Sequence, residues 1–264
     1  MGERLGFAFD AALGPAVSAA VAPEVERLGY ASLWTNDTPN APGLPVLAAA
    51  QRPTARVALG VGVIACDRRS SREIASAVSE LELDARRAVI GIGSGRAEHP
   101  VDAVRTAMGE LRRILDPDVA VAVAAMGPRM CRLAGEIADI VLLNWMTPER
   151  IRWARERVRE GERRAGREPG SVVVASYVRV AVGRDARERL ADAAGRYARS
   201  PAYARSFAAM GVEPGTVGVA AASPDDARAA LAPYRDALDE TIVRALPVFP
   251  TADSVLELAR GTRP

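Results

Sequence analysis

A chain of 264 residues, 49% hydrophobic and 26% charged, is long enough to bury a sizeable core, and one α/β barrel commonly fills this length. Its 35 basic and 33 acidic residues leave a formal charge of +2 and lie scattered, with no basic block or interleaved aromatics, which argues against a nucleic-acid partner. No lysine occurs, so Schiff-base and P-loop phosphate chemistry lack their amine, and the single histidine, His99, excludes a histidine-rich metal site.

Cys66 and Cys131 are far apart and have no metal-ligand spacing, as in a reducing cytosol. The start "MGERLGFAFD" has no long apolar run, and nowhere do 18 apolar residues run together. The expectation is one soluble, cytoplasmic domain over residues 1–264, with no metal and no membrane.

In chain order, "RLGFAF" (4–9) reads as a buried strand, followed by Val17, Val21, Val25 and Leu28 at helical spacing and a second strand at "YASLW" (30–34). A helix from about Gly43 leads to "RVALGVGVI" (56–64). Ser70 and Glu73 then form a capping-box pattern ahead of Ile74, Ala77, Val78 and Leu81. "AVIGIG" (88–93), "VAVAVAA" (119–125), "IVLLN" (140–144) and "VVVASYVRVAV" (172–182) are near-continuous apolar runs, as parallel strands covered on both faces are. Met130, Leu133, Ala134 and Ile137 share a helical face, and Thr147 and Pro148 open the next helix. "TIVRALPV" (241–248) is the eighth strand. Eight strand–helix units predict a (β/α)8 TIM barrel, with a doubly wound open sheet as the alternative. The segment from Asp185 to Leu238 holds more than one helix, punctuated by Pro201, Pro214 and Pro224.

"RAVIGIGSGRAEHP" (87–100) superficially matches a dinucleotide loop, but Arg96 stands where the third glycine of G-x-G-x-x-G is needed. The acidic partner about 20 residues on would fall at Glu110 or Asp116, in or at the end of a helix. In a barrel, chemistry gathers instead at the C-terminal strand ends: Asp10, "TNDTP" (35–39), "ACDRR" (65–69), "GSGRAEH" (93–99), "MGPR" (126–129) and "NWMT" (144–147).

Together "GYASLWTNDTP", "LGVGVIACDRRSS", "AVIGIGSGR" and "AAMGPRMCRLAGEIADIVLLNWMTPE" resemble the luciferase-like barrel oxidoreductases. This superfamily contains bacterial luciferase, flavin-dependent monooxygenases and enzymes that use the deazaflavin coenzyme F420. The resemblance implies a ring site at Gly62, Val63 and Ile64, with a non-proline cis peptide at Gly62–Val63, and a turn beside the ring at Gly93, Ser94 and Gly95. It implies a cofactor-phosphate site at Ala125, Met126, Gly127 and Pro128, and a pocket contribution from Asn144 and Trp145. Physical reasoning agrees on the phosphate site, since free N–H groups at a helix N-terminus attract anions. Blander readings stand beside these: a plain strand-to-helix turn at 93–95, an ordinary helix start at 126–129, Trp145 as packing and Cys66 as a small buried hydrophobe.

Two departures from the family pattern matter. Asp37 is followed by Thr38 where F420-using relatives often carry histidine, and Arg96 stands where some carry glutamate. Asp37, Arg96 and His99 are therefore the residues left to orient a substrate, although His99 also reads as a solvated loop residue. The fourth-to-fifth strand connection has room for only about one helix, so a substrate cover is missing or comes from elsewhere, with residues 195–225 the first place to look. The resemblance implies a coenzyme F420- or FMN-dependent oxidoreductase moving hydride to or from a small organic substrate, F420 preferred. Alternatives are an FMN-dependent monooxygenase, a catalytically silent cofactor-binding barrel and a phosphate-handling isomerase or lyase, against which the missing lysine counts. Homodimerisation is a family expectation.

Overall fold

A computed structural model describes residues 4–264. The chain runs β1 (Arg4–Phe9), α1 (Gly14–Arg27), β2 (Ser32–Thr35), α2 (Gly43–Gln51), β3 (Ala58–Ala65), α3 (Ser71–Glu80), β4 (Ala88–Gly93) and α4 (Pro100–Ile114). It continues with β5 (Ala120–Ala124), α5 (Pro128–Ile137), β6 (Ile140–Asn144), α6 (Pro148–Arg164) and β7 (Val173–Val182). Beyond β7 come α7 (Ala186–Ala198), α8 (Pro201–Met210), β8 (Val219–Ala221), α9 (Pro224–Arg235), β9 (Glu240–Ala245) and α10 (Ala252–Gly261).

Each strand from β1 to β7 pairs in parallel with the next, β7 pairs with β9, and β9 returns to β1, so eight parallel strands close into a (β/α)8 barrel. Closure decides against the open sheet. The eighth barrel strand is the one expected at 241–248, and it stops at Ala245 ahead of Pro247. A three-residue ninth strand, β8, takes the edge of β7 at Val180–Val182, beyond the point where β6 ends.

Period-two alternation divides the apolar strand residues between two cores. Phe7, Leu33, Leu59, Ile90, Val121 and Val141 face the helices. Ala8, Trp34, Val89, Ala122, Leu142 and Tyr177 fill the barrel interior. Large and small residues interlock there, the Trp34 indole occupying the space that a side chain at Gly60 would need. Trp34 Nε1 donates to Ser32 Oγ at 2.7 Å, and Ser32 in turn bonds the buried carboxylate of Glu240, so the polar atoms at this level are paired.

The helices begin where their caps dictate. Ser70 and Glu73 make the reciprocal capping box of α3, and Thr147 accepts from Arg150 N at the start of α6. Between β4 and β5 there is only α4, and the bulk missing there is supplied after β7 instead. Leu190, Ala193, Ala194, Phe207 and Val217 form a separate apolar cluster with Trp145, which clamps α7 and α8 onto the end of the barrel. Trp145 lies at φ 54, turned away from the strand direction so that its ring enters this cluster. No helix among the described residues is long and apolar enough to cross a membrane.

Candidate active site

A cavity of about 690 Å³ opens at the C-terminal ends of the strands, within the range of pockets that hold a cofactor or drug-sized ligand. One wall is built by β3 and β4. The Gly62–Val63 peptide is cis, the β3–β4 register shifts between Val61 and Ile64, and Val63 projects into the cavity. The bulge explains the glycines facing it: a Cβ at Gly93 would lie 2.9 Å from Val63 Cγ2, and one at Gly91 would lie 3.0 Å from Val63 Cγ1. These glycines give room to Val63. The next turn is shaped by Asp67, whose carboxylate accepts from Arg96 N at 2.8 Å and fills the space beside Gly95, at φ 58.

The second wall is the start of α5. Ala125 N–H is spent on Leu142 O at 3.2 Å, but Gly127 brings no side-chain oxygen to cap the helix, and the first turn carries no acid. The helix therefore presents N–H groups and the positive end of its dipole at the cavity margin without an internal counter-charge. The third wall comes from α7 and α8: Tyr197, Ser200, Tyr203, Arg205 and Ser206. These lining residues lie within the stretch 195–225 considered for a cover, although α7 itself starts ahead of it at Ala186.

Upper interior positions of the barrel carry two buried arginines. Arg244 donates to Asp10 and Asn36 at 3.1 Å each, joining the tops of β9, β1 and β2. Burial pushes the Asp10 carboxyl up, but Arg244 and the Ala12 amide outweigh it, so its pKa lies below the ordinary value. Arg179 donates to Asn144 Oδ1 and to the Tyr197 hydroxyl, and stacks on Trp145 with its guanidinium carbon 4.4 Å from the ring centre. Burial lowers its pKa from the ordinary value.

The candidates from the sequence are distributed as follows. Gly62, Val63, Gly93, Ser94, Gly95, Ala125, Met126, Gly127 and Asn144 converge on the cavity. Pro128 is the first residue of α5, behind Gly127. Ile64 alternates away from Val63 and packs into the core between strands and helices. Trp145 is 1% exposed and sits behind the cavity in the insert cluster. Asp37 lines the cavity, but its carboxylate is buried, ion-paired with Arg68 and accepting from Gly43 N at 2.8 Å. Arg96 and His99 lie on the exposed β4–α4 turn, outside the cavity wall. Cys66 is partly buried, and burial followed by the neighbouring Asp67 pushes its thiol up to about 11, away from thiolate chemistry.

Sequence reasoning missed the tyrosines. Tyr177, Tyr197 and Tyr203, three of only five in the chain, line the cavity, yet two of them lie on helices of the least patterned segment. Arg150 was also missed. It lines the cavity with its guanidinium over Trp153, and burial lowers its pKa. No cluster of three or more potential metal ligands occurs among the described residues.

A barrel closed around a bulged third strand, with its cavity at the strand ends, defines a class that comparison with known proteins makes specific. The luciferase-like monooxygenase family model matches residues 102–260, and the chain belongs to that family. A 5,10-methylenetetrahydromethanopterin reductase from Methanolobus tindarius is 27% identical over 195 residues, 61% of this chain and 60% of the relative. The match thus spans less than two thirds of that curated protein. Among solved structures, the coenzyme F420-dependent tetrahydromethanopterin reductase from Methanopyrus kandleri superposes with a TM-score of 0.77 at 20% identity, covering 100% of this chain and 98% of that one. An F420-dependent secondary alcohol dehydrogenase in complex with an F420–acetone adduct gives 0.80 at 17% identity, with both chains covered completely. The FMN complex of the oxygenating constituent of 3,6-diketocamphane monooxygenase from Pseudomonas putida gives 0.72 at 14%, covering 100% and 97%. At these identities the likeness is one of fold.

Proposed function

We propose that the chain is an oxidoreductase that binds coenzyme F420, or alternatively FMN, in this cavity and passes hydride to or from a small organic substrate. The carrying observation is the cavity itself, bounded by the Gly62–Val63 bulge on one side and the uncapped, acid-free start of α5 on another. The F420-dependent relatives support the choice of deazaflavin. A phosphate-bearing cofactor fits the residues present: the only acid lining the cavity among the described residues, Asp37, is already neutralised by Arg68, and space is open beside Gly127, where a Cβ would meet nothing within 4 Å.

When bound, the cofactor supplies the hydride chemistry, and the protein supplies placement. Val63 would back the ring, Gly93, Ser94 and Gly95 would form the wall beside it, and the N–H groups of Gly127, Arg129 and Met130, Pro128 having none, would hold the phosphate. Asp37, through Arg68 and Gly43 N, fixes the Asn36–Thr38 segment and orients substrate only indirectly. The insert tyrosines face the substrate, and Asn144, its amide spent on Arg179 and Tyr203, holds them in place. A cofactor binder without turnover is the second reading, favoured because no histidine or unpaired carboxylate among the described residues reaches the cavity wall. We place the protein in the cytoplasm, consistent with two free cysteines, and give it a small molecule rather than nucleic acid as partner.

Titration of the purified protein with F420 and with FMN tests this. Micromolar or tighter binding, about −8 kcal/mol, is expected for at least one, with F420 the tighter. Millimolar binding of both overturns the proposal, and tight binding without turnover over a panel of alcohols, carbonyls and pterins selects the silent binder.

A further inference from the structure

The direction of the hydrogen bonds around Arg179 leaves two donors unspent. A guanidinium can only donate. Arg179 gives one N–H to Asn144 Oδ1 and another to the Tyr197 hydroxyl oxygen at 3.1 Å. With its carbonyl engaged, Asn144 turns its amide nitrogen outward, and Nδ2 donates to the Tyr203 hydroxyl oxygen at 2.8 Å. Both phenolic oxygens are therefore acceptors inside the network, and neither O–H donates to any group among the described residues. Tyr177 behaves differently, its hydroxyl donating to the carbonyls of Thr35 and Gly62 at 3.4 and 3.5 Å.

Arg179 is 4% exposed and makes no ion pair among the described residues, its remaining partners being the rings of Trp145, Tyr197 and Tyr177. A buried cation without a counter-anion is costly unless a ligand completes it. Accepting from a cation, directly or through one amide, polarises each phenol and makes its O–H a stronger donor. Preorganised donors of this kind in a site shielded from water stabilise negative oxygen.

We propose that Tyr197 and Tyr203 form an oxyanion site on the substrate wall of the cavity, held in donor orientation by Arg179 and Asn144, and that it selects ligands carrying a negatively charged oxygen. The site rests on the functional reading above only in naming that oxygen as the substrate's. Tyr197 and Tyr203 touch the ligand; Arg179 and Asn144 are positioning residues.

The test uses the full chain without added cofactor and two probes of similar shape, 4-nitrophenolate, read by its visible absorption, and neutral nitrobenzene. Wild-type protein is expected to bind nitrophenolate at least about tenfold more tightly than nitrobenzene, the scale of one charge-assisted hydrogen bond. Tyr203→Phe and Tyr197→Phe should each reduce that ratio about tenfold. Tyr30→Phe, which removes a hydroxyl that lies outside the cavity and donates to Ala259 O, should leave it unchanged. Arg179→Gln should raise the apparent pKa of bound nitrophenol by about one unit without changing nitrobenzene affinity, a spectral shift that loss of packing alone does not produce. If that variant fails to fold, the two tyrosine variants decide. Equal or unmeasurable binding of the two probes, or a preference that survives both tyrosine substitutions, overturns the oxyanion site. Cofactor titration is read separately: loss of cofactor binding with nitrophenolate preference intact refutes the functional reading and leaves this site standing.

Discussion

Gly127 sits at φ −98 and ψ 164, extended backbone that any residue adopts, with nothing within 4 Å of the point where a Cβ would stand. Gly127→Asp is therefore expected to fold and unfold near the wild-type temperature, since a carboxylate at a helix start contributes about 0.3–1 kcal/mol of stabilisation. The same carboxylate occupies the place proposed for the cofactor phosphate, so cofactor affinity should fall by at least about 2 kcal/mol. Calorimetric melting with and without cofactor separates the effects, and a stable variant that binds like wild type removes the phosphate from α5. At this scale the sequence was partly legible. Val63, Gly93, Ser94 and Gly127 carry local motifs, and they reach the cavity. Arg179, Tyr197 and Tyr203 carry none, because their significance arises from contacts between β7, β6 and the insert that no local pattern encodes.

Among the elements, α6 and β7 are joined through one carboxylate. Glu162 is fully buried and accepts from Gly170 N at 2.9 Å and Val172 N at 2.8 Å, fixing the turn that launches β7. Glu162→Ala leaves two N–H groups without their acceptor and should cost about 1–3 kcal/mol, the scale for the buried Val172 donor, since Gly170 lies at the surface. Urea denaturation measures it, and a loss below about 1 kcal/mol would show that water satisfies these donors. Elements with strong signals were readable in advance: the capping box of α3, the Thr147 cap of α6 and eight strand runs coincide with observed boundaries to within a few residues. β8 was not, since three residues define no period and its pairing depends on the free edge of β7.

Over the whole molecule, length and eight apolar runs point to a barrel, but closure is a long-range fact, made by β9 returning between β7 and β1. The outer layer is tied near the same seam. Glu24 on α1 bonds Arg27 at 2.6 and 2.7 Å and Arg260 on α10 at 2.9 Å, and these hydrogen bonds, Arg27's first, hold its carboxyl at about 2, below the ordinary 4.5. A depressed carboxyl stabilises the fold fully above about pH 4.5 and loses that contribution as pH falls to about 2. Glu24→Gln should therefore melt lower than wild type at neutral pH, with the difference closing across that window and shrinking in high salt because the pair is solvent-facing. Melting curves against pH check this, and a gap independent of pH would assign the loss to packing.

The segment between β7 and β8 begins at Gly183 and ends at Gly218, both at positive φ, and its ends are stitched together where Gly183 N–H meets Ala221 O at 2.9 Å. Everything this chain contributes to the substrate wall from outside the barrel, Tyr197 and Tyr203 included, lies within that loop of chain, while the proposed cofactor wall belongs to β3, β4 and β5. On the proposed reading, the tyrosines that touch substrate lie on a different stretch of the chain from the groups that hold the cofactor, while Arg179 and Asn144, which position them, stay in the barrel. Replacing the interval 184–217, with the two glycines as splice points, is therefore expected to change ligand preference while leaving cofactor affinity as in the wild type.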